Sequence, residues 1–308
     1  MADLSVLIPS RQEQFLARTV EDVLSNLRGD TEIIVVADGA WPDPPLQDHP
    51  RLDLLHYSSS IGQRAACNSA ARVSQAKYVM KLDAHCAVAE GFDVRLMDDA
   101  KALGRETTQI PRLYNLHAFD WVCPQGHRRY QGPSGKCEEC REPTTQDIVW
   151  KPRLNRRTDF TYFDRGLHYQ YFPGSWRKQY ERRPYSTPPI ADVMTTLGAC
   201  WFMERDRYWE LGGMEEAHGS WGQMGVEVAC KSWLSGGRQV VNKNTWYSHM
   251  FRTQGKDFGF PYAISSSEQE SARVYSKWLW EGGNWPKAKY PLSWLVEKFA
   301  PLPDWHEV

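Results

Sequence analysis

The sequence lacks an excess of either charge. Its 37 Lys and Arg stand against 38 Asp and Glu, a formal net charge of −1. A chain so balanced carries no strong overall field for polyanions. It has no apolar run long enough to span a bilayer, no internal repeat and no low-complexity tract. Neither G-x-G-x-x-G nor a P-loop occurs, which argues against a dinucleotide oxidoreductase and a P-loop kinase. Met1-Ala2-Asp3-Leu4 shows no basic stretch followed by an apolar core, so no secretion signal is expected. Cysteines are few and odd in number, at seven. Without a signal they point to thiols and metal ligands rather than to a disulfide framework.

Aromatic residues are abundant instead, with 14 Trp. Such an excess builds cores, and it also suits stacking on sugars or bases. A length of 308 residues fits one large α/β domain with insertions, or two small domains. Leu4 to Ile8 reads as a short apolar strand. Glu13 to Leu27 has helical spacing, with Phe15, Leu16, Val20, Val23, Leu24 and Leu27 on one side. Glu32 to Ala37 is a β-branched run of the kind buried on both faces of a parallel sheet. Strand, helix and strand in this order predict a βαβ unit, whose ligands bind beyond the carboxyl ends of the strands. Pro9-Ser10-Arg11, Asp38 and Asp83-Ala84-His85 then share one rim. Leu52 to His56 predicts a third strand. Gly62-Gln63-Arg64 opens a helix through Ala76, with Arg64 near its start, either facing a phosphate or solvated.

Lys81-Leu82-Asp83-Ala84-His85-Cys86 follows an apolar strand, Tyr78-Val79-Met80. In extended chain Asp83 and His85 project to the same side, where a carboxylate and an imidazole can meet one divalent cation. Read alone, the pair fits a turn-capping Asp and a packed His equally well.

Four segments in order carry a resemblance. Ser5-Val6-Leu7-Ile8-Pro9-Ser10, Glu32 through Gly39, Gly62 through Asn68 and Leu82 through Cys86 resemble the nucleotide-sugar half of GT-A glycosyltransferases. Asp-x-His-Cys is most similar to the polypeptide GalNAc-transferases. Leu211-Gly212-Gly213-Met214, Trp221-Gly222, Glu227, Trp233, Gly236-Gly237 and Ser248-His249-Met250-Phe251-Arg252 continue the series. The resemblance covers roughly residues 1–110 and 190–280. It implies an α/β GT-A fold, a Rossmann-like mixed sheet with flanking helices. It implies a nucleotide-diphosphate-sugar donor and Mn²⁺, or Mg²⁺ in its place, held by Asp83, His85 and His249. Asp38 would contact the base or ribose, Arg64 the nucleotide side, and Trp221 and Glu227 the acceptor. One position departs: Met224 stands where the family has an acidic residue, and a thioether is neither a base nor a useful acceptor.

An insertion interrupts the pattern at 121–143. Cys123, His127, Cys137 and Cys140 follow C-x3-H-x9-C-x2-C, the donor set and knuckle spacing of tetrahedral, structural Zn²⁺. A second segment, 151–189, is basic and aromatic. Between Lys151 and Arg183 it holds nine Lys/Arg, three Asp/Glu and eight Phe/Tyr/Trp. That composition suits phosphates and stacked bases, or a solvated loop packed by its own rings. With the knuckle beside it, the expected acceptor is hydroxymethylated DNA, as in the phage DNA-modifying glycosyltransferases the chain also resembles. The expected setting is then the cytoplasm of a bacterial or phage-infected cell, with no membrane contact. Transfer to a polypeptide or glycan hydroxyl, and a non-catalytic nucleic-acid-binding role on a transferase scaffold, are the alternatives. Phe251 to Tyr262 is expected as a lid, Ser267 to Trp280 as a helix, and Pro286 to Val308 as a surface-wrapping tail.

Overall fold

The computed structural model describes residues 2–253 and 256–305. The first half runs β1 (Leu4–Ser10), α1 (Leu16–Asn26), β2 (Thr31–Asp38), β3 (Leu52–Tyr57), α2 (Gln63–Val73), β4 (Tyr78–Leu82), β5 (Cys86–Val88), α3 (Phe92–Leu103) and β6 (Thr107–Val122). It continues through β7 (Arg128–Tyr130), β8 (Thr145–Leu154), β9 (Thr161–Phe163), β10 (Tyr169–Tyr171) and α4 (Trp176–Arg182). The remainder is β11 (Ile190–Asp192), β12 (Cys200–Glu204), α5 (Arg205–Glu210), α6 (Met224–Leu234), β13 (Arg238–His249), α7 (Ser266–Trp280) and α8 (Leu292–Lys298).

One mixed sheet organises the chain, in the order β11-β13-β6-β12-β4-β1-β2-β3. β1 pairs in parallel with both β2 and β4, and β2 with β3. Every residue of β1 is buried, as is Ile33–Asp38 of β2, which explains their unbroken apolar runs. β3 closes the edge and is only half-buried. Past β4 the sheet turns antiparallel at β12, so the βαβ half stops there.

Two features of this sheet place functional side chains. β5 pairs antiparallel with β13, His249 opposite Cys86, which sets His249 beside His85. β6 is long enough to leave the sheet. Its first part pairs with β13 and its last part with β7 and β8, so it carries the insertion outward on a three-stranded ribbon. The loop before β12 meets the start of α6 closely. A Cβ on Gly225 would stand 1.9 Å from the Thr196 carbonyl oxygen, and only glycine fits there.

Some expectations change. α1 begins at Leu16, which leaves Glu13 outside the helix. α7 begins at Ser266, with Ser265 and Glu268 forming a reciprocal capping box. The tail is more than a wrapping: it forms α8, and Leu292, Leu295, Phe299 and Leu302 join the main core. Within the expected lid Gly255 lies outside the described residues, as do the last three residues of the tail.

Candidate active site

A cleft of about 310 Å³ opens at the carboxyl ends of β1, β2 and β4. Pro9, Arg11, Asp38, Asp83, His85 and His249 all line it, so the rim expected from the βαβ unit is real. The local geometry differs from the expectation in one respect. Asp83 and His85 sit on the turn between β4 and β5, not on extended chain. The turn and the β5–β13 register still bring them together with His249. His85 Nε2 lies 3.0 Å from His249 Nε2, and Asp83 Oδ2 lies 3.3 Å from the same nitrogen. All three donor atoms fall within 4.8 Å of one another.

These atoms are Lewis bases facing one another. Burial pushes the His249 imidazole down to about 4, so it is neutral at physiological pH and offers a lone pair. Burial would raise the Asp83 carboxyl. Lys81 and the two imidazoles outweigh it and hold the group well below the usual carboxylate range. One carboxylate and two imidazoles suit a divalent cation such as Mn²⁺.

Several groups hold this triad that motif reading did not single out. Lys81 is fully buried; its Nζ pairs with Asp83 and donates to the Gly198 carbonyl at 2.9 Å. Gln63 Nε2 donates to Asp83 Oδ1 at 3.2 Å. Glu13 Oε2 lies 3.3 Å from His85 Nδ1 and accepts from Arg252 at 2.6 Å. A carboxylate behind a metal-ligating histidine fixes its ring and raises its basicity. Arg252 closes the Ser248–Arg252 motif, while Glu13 reads in the sequence as the first residue of a helix. Arg11 stacks over the Tyr262 ring, 4.5 Å from its centroid. Trp221 lines the cleft and packs edge-on against Phe260, at 4.8 Å.

Asp38 is at the cleft, but its carboxylate is already engaged. It accepts from the Ile61 N–H at 2.6 Å, the Gly62 N–H at 3.1 Å and the Ser60 hydroxyl at 2.8 Å. It therefore shapes the turn into α2. Two expected roles need correction, those of Glu227 and Arg64. Glu227 does not reach the cleft. α6 is buried on every side, and Glu227 is wholly enclosed. Arg64 does not reach it either: its Nε donates to Glu227 at 2.7 Å and its NH2 to the Gly222 carbonyl at 2.6 Å. Lys231 Nζ reaches Glu227 at 2.8 Å, and the Glu215 N–H donates to it at 2.6 Å. Burial would raise the Glu227 carboxyl, but Lys231, Arg64 and His218 hold it at about 2. The cluster braces the 213–222 loop, which presents Trp221 to the cleft.

His218 completes the cluster and gives a pH prediction. It is enclosed, with Nε2 2.9 Å from the Ser276 hydroxyl. Burial lowers its pKa from 6.5 to about 4, partly opposed by Glu227. An unfolded chain binds the proton more readily, so this contribution is present above pH 6.5 and is lost as pH falls through about 4. The window is worth on the order of 3 kcal/mol. Urea unfolding at pH 7 and pH 4.5 should show His218→Gln losing much less stability than the parent between the two. Equal losses would mean that His218 is not held neutral.

A family model for glycosyl transferase family 2 matches residues 5–163, just over half of the chain. The chain belongs to glycosyl transferase family 2. A Drosophila melanogaster protein named as polypeptide N-acetylgalactosaminyltransferase 13 is 25% identical over 279 residues, 84% of this chain and 43% of the relative. Human polypeptide N-acetylgalactosaminyltransferase 10 is 23% identical over 295 residues, 91% of this chain and 42% of the relative. The chain thus spans about two fifths of the curated relatives it matches. Its fold is similar to that of GalNAc-T7 in a crystal structure with UDP, GalNAc and Mn²⁺. The TM-score is 0.64 at 18% identity, covering 91% of this chain and 48% of that one. The mixed sheet of this family-2 chain is thus a GT-A fold. The expected bacterial or phage-infected cytoplasm is not kept, because these relatives are animal proteins. Among the described residues no helix is long and apolar enough to cross a membrane.

Two segments outside the cleft lining bear on the remaining expectations. In the first, 121–143, the side chains of Cys123, His127, Cys137 and Cys140 converge. Cys123 Sγ and Cys137 Sγ each lie 3.6 Å from His127 Nδ1, and Cys140 Sγ lies 3.6 Å from Cys123 Sγ. The four other cysteines, Cys67, Cys86, Cys200 and Cys230, are buried free thiols. In the second, 151–189, the rings expected to stack on bases are used internally. Phe160, Tyr162, Phe163 and Phe172 are buried. Arg156 and Arg177 both sit over Trp176, Arg157 over Tyr171 and Arg183 over Phe172. Asp159 is fully buried between Arg112 and the Tyr180 hydroxyl. Cations and rings that satisfy each other leave no prepared row for a nucleic-acid strand, and the DNA acceptor loses its support.

Proposed function

We propose that this chain transfers a glycosyl group from a UDP-sugar to a hydroxyl of a polypeptide, with Mn²⁺ held by Asp83, His85 and His249. The observation that carries this reading is the convergence of one carboxylate and two imidazoles at the strand-end rim of a GT-A sheet. The similar GalNAc-T7 fold with UDP, GalNAc and Mn²⁺ supports the donor and metal, and the relatives' names support the acceptor.

When bound, the cation stabilises the negative charge that develops on the diphosphate as the glycosidic bond breaks. The chain supplies the rest. Arg11 and Arg252 line the same cleft and add positive charge beside the triad. Glu13 orients His85, while Lys81 and Gln63 keep Asp83 ionised and aimed. Asp38 holds the turn into α2, and Pro9 closes the cleft at the end of β1. Trp221, Phe260 and Tyr262 give an aromatic wall for the acceptor side. Met224 lines that wall too and offers no base. Glu227 and Arg64 act as positioning residues, through the loop that carries Trp221. We also assign Cys123, His127, Cys137 and Cys140 to a structural zinc ion, apart from the transfer chemistry. The whole chain, 1–308, is then one GT-A domain; 121–143 is its zinc insertion and 151–189 a segment packed onto it.

The test is UDP release from UDP-GalNAc with Mn²⁺ and a Ser/Thr peptide. Release is expected with peptide, and chelating the Mn²⁺ should lower it about 100-fold or more. Dependence on hydroxymethylated DNA instead would overturn the acceptor. Silence across UDP- and GDP-sugars with metal present would overturn the transfer itself.

A further inference from the structure

The insertion lies against the cleft's outer wall, and the contacts between them are specific. The connection from β7 to β8, residues 131–144, buries only Gly132 and Cys137. Its apolar side chains apart from the cysteines are Pro133 and Pro143, and neither is buried. It is held by hydrogen bonds, Trp121 Nε1 to the Gly132 carbonyl at 2.9 Å and Thr144 Oγ1 to the Gly135 carbonyl at 2.7 Å, and by a tight turn closed by Arg141 N–H to the Cys137 carbonyl at 3.0 Å. Gly126 N–H to the Cys123 carbonyl, 2.9 Å, closes the facing turn between β6 and β7. These turns point three sulfurs and one imidazole nitrogen at a common centre. Two thiolates on one tetrahedral zinc are separated by about 3.8 Å, from bonds of about 2.3 Å. The 3.6 Å between Cys123 and Cys140 matches that spacing and is far outside a disulfide. His127 Nε2 lies 3.5 Å from Glu139, the outer carboxylate that steadies a zinc-bound imidazole. A segment without a core gains its order from the metal.

What this segment touches gives the centre a role. The Ser134 N–H donates to Asp257 Oδ1 at 2.9 Å. On the same ribbon Phe119 packs edge-on against Phe258 at 5.8 Å, and stacks with Phe15 at 5.8 Å. Phe15, Phe119, Trp150, Met250 and Phe258 belong to a small second core, separate from the main one. Met250 directly follows His249, and Phe258 stands two residues before Phe260 in the cleft wall.

We propose that zinc at Cys123, His127, Cys137 and Cys140 holds the ribbon in place and so positions the 256–262 segment, with Phe260 and Tyr262, at the mouth of the cleft. This inference rests on the zinc assignment and not on the transfer reading. Zinc content and amide hydrogen exchange test it on the full chain without an activity assay. The purified protein should hold about one zinc per chain. Cys140→Ser should lose it, and exchange in 256–262 should rise about tenfold or more, with β1 and β4 unchanged. Asp257→Ala should keep the zinc and still speed exchange in 256–262; this variant serves if Cys140→Ser does not fold. Protein grown with zinc that contains none would overturn the zinc assignment and the inference with it. Zinc present, with exchange in 256–262 unchanged in the variants, would overturn the positioning role alone.

Discussion

His249→Ala is expected to lower transfer about 10²–10³-fold while the protein stays folded. The imidazole stands at the end of β13 with its Nε2 shared between His85 and Asp83. Truncating it removes one of the three proposed metal ligands and strands no buried cation. Asp83→Ala is a less clean test, although the motif alone suggests that the fold would survive it. Lys81 is fully buried against Asp83, and losing the carboxylate strands its ammonium beside two backbone carbonyls. Breaking one side of a buried pair costs about 3–5 kcal/mol. Lost activity in Asp83→Ala would thus mix lost metal with lost fold, and Asp83→Asn is the better companion. The measurements are UDP release and thermal unfolding of the same preparations. Parental activity in His249→Ala would remove the metal centre from the reaction.

Glu227→Ala is expected to damage the fold rather than the chemistry. Arg64 and Lys231 both lose their carboxylate partner inside the protein, and the Glu215 N–H loses its acceptor. A cost of about 3–5 kcal/mol lowers the melting temperature by roughly 5–8 °C in a chain of this size. Glu227→Gln keeps the shape but not the charge, and should fall in the same direction. Activity per folded molecule should drop much less than in His249→Ala. The opposite pattern, an unchanged melting temperature with collapsed activity, would return Glu227 to the acceptor side. Arg64→Lys tests the same brace more gently, because a lysine cannot span Glu227 and the Gly222 carbonyl together.

The sequence by itself determined the βαβ half, since β1, β2 and β4 are apolar runs that only a doubly covered parallel sheet can bury. It made the Asp83–His85 pair and the Cys123, His127, Cys137 and Cys140 cluster legible as groups that could hold a metal, because donor type and short spacing are local properties. His249 was legible only as a motif in order; its approach to His85 depends on β13 pairing with β5, a contact between residues 164 apart in the chain. The tertiary structure alone decided the rest. α6 is buried all round, so its sequence had no polar face to show which way Glu227 points. Arg156, Arg157, Arg177 and Arg183 read as free charge until the fold set them on that segment's own rings. Glu13 and Lys81 gained their places from neighbours brought in by the sheet. A side chain's identity is local, but what it faces is set by packing over the whole chain.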